Sequence, residues 1–221
     1  MARKLILLNG MTPGGRVFKR LLPLIDHYQL VEWIDPGEDR SISEYAERLQ
    51  NFLGNVGDCD ILGVSFGGIV AQELAPLIGA KNCFIVSSIA DAKELNSLHK
   101  LLGKLPYHLN ENFLSLAGSS SGLIANIGSA PSIRLTNFVG EEGQWFRWAT
   151  SAVLGWTPKR DHSIRYIRIH GDVDETFKKG HLYSDHVIKG ATHVLALTHA
   201  EKLAEVLSKY RYENEQINRV S

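Results

Sequence analysis

Six short runs of mostly apolar residues punctuate the chain, and most lead into a segment whose apolar residues recur at helical spacing. The runs are Leu5-Ile6-Leu7-Leu8, Leu30-Val31-Glu32-Trp33-Ile34, Asp60-Ile61-Leu62-Gly63-Val64, Cys83-Phe84-Ile85-Val86, residues 164–169 and His186-Val187-Ile188. A continuous apolar run of this length reads as a strand buried on both faces. Strands that alternate with helices imply a parallel sheet covered on both sides. The expected class is therefore α/β: three layers, a mostly parallel sheet of about six strands, and helices on both faces. Helical patterns fall at 17–25, interrupted by Pro23, at 44–53 with Ser43 as cap, at 69–78 and at 201–210. The residues after 210 are polar and read as a frayed tail.

The rhythm breaks between Asp91 and Arg160. A chain of 221 residues is one domain at ~100–200 residues per domain. The expected organisation is a single domain over 1–221, with core 1–90 and 160–221 and an insertion over 91–159. The insertion contains the polar stretch Gly118-Ser119-Ser120-Ser121-Gly122 and the aromatic residues Trp145, Phe146, Trp148 and Trp156. Its earlier part, 95–127, is expected to form a lid whose Leu98, Leu101 and Leu102 line an acyl pocket. Its later part, 145–154, carries apolar residues at 145, 148, 149 and 152. That spacing predicts a helix packed on the sheet before the fifth strand.

The third run leads into Gly63-Val64-Ser65-Phe66-Gly67-Gly68, a G-x-S-x-G pattern between a buried strand and a helix. This is the setting of a nucleophile elbow: the serine sits on a sharp turn, and the glycines remove Cβ atoms where strand and helix approach. Such a serine needs a base, and the base needs an orienting carboxylate. The fifth run ends in His170-Gly171-Asp172-Val173-Asp174, and the sixth in Lys189-Gly190-Ala191-Thr192-His193. Both follow parallel strands, where open α/β sheets place their sites. His193 is the candidate base, and the acid is Asp172 or Asp174. His170, at a strand end, reads as a packed core histidine.

These segments together resemble the α/β-hydrolase superfamily over residues 4–90 and 160–212. The resemblance implies Asp174 as the acid, since the second carboxylate of a Gly-Asp-x-Asp stretch usually serves, and leaves Asp172 as a turn residue. It also implies an oxyanion hole built from the backbone amides of Phe66 and Met11, the latter in Asn9-Gly10-Met11-Thr12-Pro13-Gly14-Gly15. The sequence departs from the family in three places. Leu5–Leu8 takes the place of the family's third strand, so a smaller sheet is expected. Asn9 stands where histidine is common. Residues 175–183 are too few for a standard helix between the last two strands.

Composition narrows the function classes. Lys plus Arg and Asp plus Glu both total 24, so the basic footprint of a nucleic-acid or membrane-surface binder is missing. The N-terminal apolar stretch is shorter than a signal peptide or membrane span requires, which makes the cytoplasm the expected compartment. Cys59 and Cys83 cannot form a disulfide framework, and no His/Cys/Asp cluster has metal spacing. The Gly10–Gly15 loop fits neither phosphate-binding glycine motif. The expectation is a serine hydrolase acting on a small carboxylic ester or thioester through Ser65, Asp174 and His193, with no cofactor and no metal. Acyl transfer on the same residues and a non-catalytic ligand-binding protein are the alternatives.

Overall fold

The computed structural model describes residues 2–11, 14–95, 141–177 and 183–212. Among these residues six strands form one sheet: β1 (Lys4–Leu8), β2 (Tyr28–Val31), β3 (Cys59–Val64), β4 (Asn82–Val86), β5 (Arg165–Gly171) and β6 (His186–Ile188). Every pairing is parallel, and the strands lie in the order β2-β1-β3-β4-β5-β6. The helices are α1 (Ile42–Leu53), α2 (Phe66–Leu77), α3 (Glu141–Leu154), α4 (Leu195–Thr198) and α5 (Ala200–Arg211).

The pleat splits each apolar run between two cores, because successive side chains in a strand point to opposite faces. Ile6, Leu8, Ile61, Cys83 and Ile85 face Tyr45 and Leu49 of α1, Ile69, Val70 and Leu74 of α2, and Ala149, Ala152 and Val153 of α3. Leu5, Leu7, Leu62, Val64, Phe84, Val86, Ile167 and Ile169 face Phe18, Leu21, Leu195, Leu203 and Leu207 on the other side. The expected three-layer α/β arrangement is what forms, with a fully parallel sheet.

Several boundaries differ from the sequence reading, each for a physical reason. The second strand spans Tyr28–Val31, since its only partner among the described residues, β1, ends at Leu8 opposite Val31. The expected helix at 17–25 is two 3-10 turns, Arg16–Phe18 and Leu22–Leu24, with Pro23 in the first turn of the second. Proline there has no amide to continue an α-helical ladder from the preceding turn. Helix α1 is capped by Ser41, whose side chain accepts from the Glu44 amide. Ser43 instead turns inward and donates to Glu73. Strand β5 continues to Gly171 because β6 pairs with its last residues, Ile169 to Gly171. Helix α3 buries only part of the expected stripe. Its small residues Ala149, Ala152 and Val153 are buried, while Trp145 and Trp148 are only half-buried and meet the Tyr45 ring of α1 at tilted angles. Among the described residues no helix lies between β5 and β6. The lid expectation for 95–127 falls, beyond Leu95, outside the described residues, as do Leu98, Leu101, Leu102 and Gly118–Ser121.

Candidate active site

Ser65 is the single residue between β3 and α2. Its backbone has φ 55° and ψ −120°, a conformation that costs a residue with a side chain ~1–3 kcal/mol and persists only where the surroundings impose it. The imposition is visible. The Ser65 amide donates to Val86 O at 2.9 Å, the Ser65 carbonyl accepts from the Gly68 amide at 2.9 Å, and Ser88 Oγ donates to the same carbonyl. The flanking glycines are required sterically. A Cβ on Gly63 would lie 2.0 Å from Gly67 O, and one on Gly67 would lie 2.1 Å from Asn9 O. These are backbone atoms that cannot step aside, so β1, β3 and α2 close at this distance only with glycine there.

The turn brings three side chains from three strand ends into line. Ser65 Oγ is 3.0 Å from His193 Nε2, and His193 Nδ1 is 3.0 Å from Asp174 Oδ2. His193 follows β6 and Asp174 follows β5. The Asp174 side chain is fully buried, whereas the His193 ring keeps a small exposed edge, 15% of its side chain. The other carboxylate oxygen, Oδ1, accepts from the amides of Thr176 at 2.8 Å and Phe177 at 3.1 Å. Burial works against the charge of Asp174. The hydrogen bond and charge of His193, with the two amides, outweigh it and hold the carboxyl below its ordinary value. The Phe177 ring meets the His193 ring edge-on at 5.4 Å.

Asp172, the other candidate acid, instead accepts from the Gly190 amide at 2.6 Å. It ties the turn after β5 to the turn after β6. Gly171 makes the same junction possible, since a Cβ there would meet Ala191 O at 1.9 Å. His170 is buried next to Asp174 and His193, with neither ring nitrogen in a well-formed hydrogen bond among the described residues. Burial and the Arg168 charge push it down to about 4, so it is neutral at pH 7.

The two expected oxyanion donors belong to the segments after β3 and after β1. Phe66 opens α2, so its amide belongs to the free N–H groups of a helix N-terminus. Gly10 and Met11 follow β1, and a Cβ on Gly10 would lie 3.7 Å from Ser65 Cβ. Sequence reading missed the groups that hold this loop. Trp33 Nε1 donates to Gly10 O and Trp145 Nε1 to Met11 O, both at 2.8 Å. Nothing in the motif predicts partners so far apart in the chain. Trp33, Tyr45, Phe66, Trp145 and Trp148 form one aromatic group with ring separations of 4.7–6.2 Å.

Among the described residues no three His, Cys, Asp or Glu side chains gather as a metal site, and no helix is long and apolar enough to cross a membrane. Cys59 and Cys83 are buried free thiols, both pushed up by burial, Cys59 to about 11.

The sequence matches no protein-family model and no curated protein. Solved structures do resemble it. ClbQ from the colibactin NRPS/PKS pathway shares 16% identity and a TM-score of 0.68, with all of both chains covered. A carboxylesterase from the thaumarchaeon Nitrososphaera gargenis shares 14% identity and a TM-score of 0.63, over 95% of this chain and 89% of that one. An alpha/beta hydrolase fold protein from Burkholderia ambifaria shares 13% identity and a TM-score of 0.64, over 94% and 90%.

Proposed function

We infer, for a chain that has the α/β-hydrolase fold, that it is a serine hydrolase cleaving a small carboxylic ester or thioester through an acyl-enzyme. The observation that carries this is the line Ser65 Oγ–His193 Nε2–His193 Nδ1–Asp174 Oδ2, with both hydrogen bonds at 3.0 Å. That line supports catalysis over simple ligand binding, because a binding pocket has no use for a serine held at φ 55° against a base with its own buried carboxylate.

In the proposed reaction Asp174 accepts a hydrogen bond from Nδ1–H of His193, which keeps the proton on Nδ1 and leaves Nε2 as the free lone pair facing Ser65. As Ser65 Oγ attacks the substrate carbonyl, its proton passes to Nε2 and the carbonyl oxygen becomes an oxyanion. The amides of Phe66 and Met11 donate to that oxygen. Collapse of the tetrahedral intermediate breaks the bond to the alcohol or thiol, which takes the proton from His193 Nε2. A water molecule then gives its proton to the same nitrogen and attacks the acyl-enzyme, and Ser65 is released with its proton restored. Asp174 stays ionised throughout, which fits a carboxyl held below its ordinary value.

A panel of p-nitrophenyl esters and acyl thioesters of increasing chain length tests the reading and measures the pocket. Turnover of at least one substrate, lost in Ser65→Ala, is the expected result. Turnover undiminished in Ser65→Ala removes Ser65 from the mechanism.

A further inference from the structure

We propose that Trp33 and Trp145 are positioning residues for the oxyanion hole: their indole N–H groups clamp the peptide unit that carries the Met11 donor. The inference rests on the hydrolase reading above and extends it to residues that the sequence motifs do not single out.

The Met11 N–H and the Gly10 C=O belong to one planar trans peptide unit, so they point in opposite directions. Fixing the carbonyl therefore fixes the amide. Trp33 Nε1 donates to Gly10 O at 2.8 Å, on the side of the unit away from its N–H. Trp145 Nε1 donates to Met11 O at 2.8 Å and holds the next unit. An indole nitrogen is a donor only, so neither bond can reverse its polarity when a substrate arrives. A carbonyl that accepts a hydrogen bond also makes the N–H of its own unit a stronger donor.

The loop needs such a clamp. It contains Gly10, and Gly14 and Gly15 follow at φ 95° and 63°; glycine-rich backbone visits many conformations at little cost. A loosely held peptide unit could rotate its N–H away from the oxyanion. The two tryptophans are themselves held. Their rings lie 5.4 Å apart, and each meets the Phe66 ring edge-on at 5.6 Å. Phe66 supplies the other expected donor. One aromatic group thus touches both halves of the hole, and Trp145 ties it to α3, within the insertion.

The test removes the N–H and keeps an aromatic side chain. Trp33→Phe and Trp145→Phe are made, and Trp33 is also replaced by the isosteric β-(3-benzothienyl)alanine, which covers the case in which Trp33→Phe does not fold. Each variant is assayed with a p-nitrophenyl ester. Each is also titrated with a trifluoromethyl ketone, which forms the oxyanion, and with its methyl ketone counterpart as ground-state mimic. A lost oxyanion donor lowers kcat ~100–1000-fold, so a donor that is present but loosely aimed is expected to lower it ~10-fold. KM and methyl ketone binding should stay within ~2-fold, while trifluoromethyl ketone affinity falls in step with kcat. Trp145→Phe, one peptide unit further from the donor, should show the smaller drop. A Trp33 variant that folds, turns over at the parental rate and binds the trifluoromethyl ketone as tightly overturns the clamp and leaves the hydrolase reading standing. Equal losses of affinity for both ketones also overturn it, since they mark general loosening of the site. A parent protein with no turnover of any ester or thioester overturns both.

Discussion

Asp174→Asn is the substitution whose outcome the geometry dictates most tightly. In the parent, Asp174 Oδ1 already accepts from the Thr176 and Phe177 amides, and Oδ2 faces His193 Nδ1. An asparagine at this site must keep its oxygen on the two amides, because its NH2 group cannot accept them. The NH2 is then forced onto the Oδ2 position and donates to His193 Nδ1. The ring responds by carrying its proton on Nε2, the nitrogen 3.0 Å from Ser65 Oγ. A protonated Nε2 cannot take the serine proton. Loss of the correct tautomer in a comparable triad lowers kcat ~10⁴-fold, which is about 5.5 kcal/mol at ~1.4 kcal/mol per tenfold. The assay is steady-state hydrolysis of the best p-nitrophenyl ester, with circular dichroism showing that the fold is retained. Asp172→Asn is the control. Its oxygen can still accept from the Gly190 amide, so kcat should stay within ~3-fold, the range of a surface change. Retention of more than a tenth of kcat in Asp174→Asn, or a larger loss in Asp172→Asn, would refute the reasoning.

Three further outcomes are expected. Gly67→Ala puts a Cβ 2.1 Å from Asn9 O and 2.6 Å from Leu8 O, so it should cost at least ~3 kcal/mol of stability by urea unfolding and lower kcat by parting β1 from the elbow; a Tm within 2 °C of the parent, ~0.5 kcal/mol for a chain of this size, would count against the close approach. His170, pushed down to about 4 in the folded protein, takes up its proton in the unfolded chain first, so stability falls as pH drops from ~6.5 toward 4, by about 3 kcal/mol in all; His170→Leu should lack this component, and an unchanged pH–stability curve in that variant would contradict it. Glu94 is paired through both oxygens with Arg168, at 3.0 and 2.8 Å, and also accepts from the Ala90 amide; Glu94→Ala leaves a nearly buried guanidinium alone and should cost about 3 kcal/mol in chemical denaturation, whereas a loss below ~0.5 kcal/mol would show that the pair contributes little.

The parts of the fold that were legible in the sequence are those encoded locally. Runs such as Ile61-Leu62 and Phe84-Ile85-Val86 are apolar on both faces because both faces are covered, and that alone marks a parallel sheet. The sharp turn at Ser65 could be read because its glycines, its strand and its helix are contiguous. Ends set by distant partners were less legible. The limit of β2 depends on where β1 stops, and the choice of Ser41 over Ser43 as cap depends on Glu73 drawing Ser43 inward. The choice between Asp172 and Asp174 was also long-range, since it turns on which carboxylate meets His193 and which meets Gly190. The tryptophan clamps could not be read at all. Trp33 and Trp145 are 112 positions apart, and an apolar stripe looks the same whether its indoles pack as core or donate to a loop.

The central claim is that Ser65 is the nucleophile. Its most direct test is reaction of the intact protein with a fluorophosphonate, followed by mass mapping of the modified peptide. The expected result is one adduct per chain on Ser65, absent in Ser65→Ala, and formed far more slowly in His193→Ala, where no base remains to take the serine proton. An adduct on another residue, or equal labelling of Ser65→Ala and the parent, would contradict it.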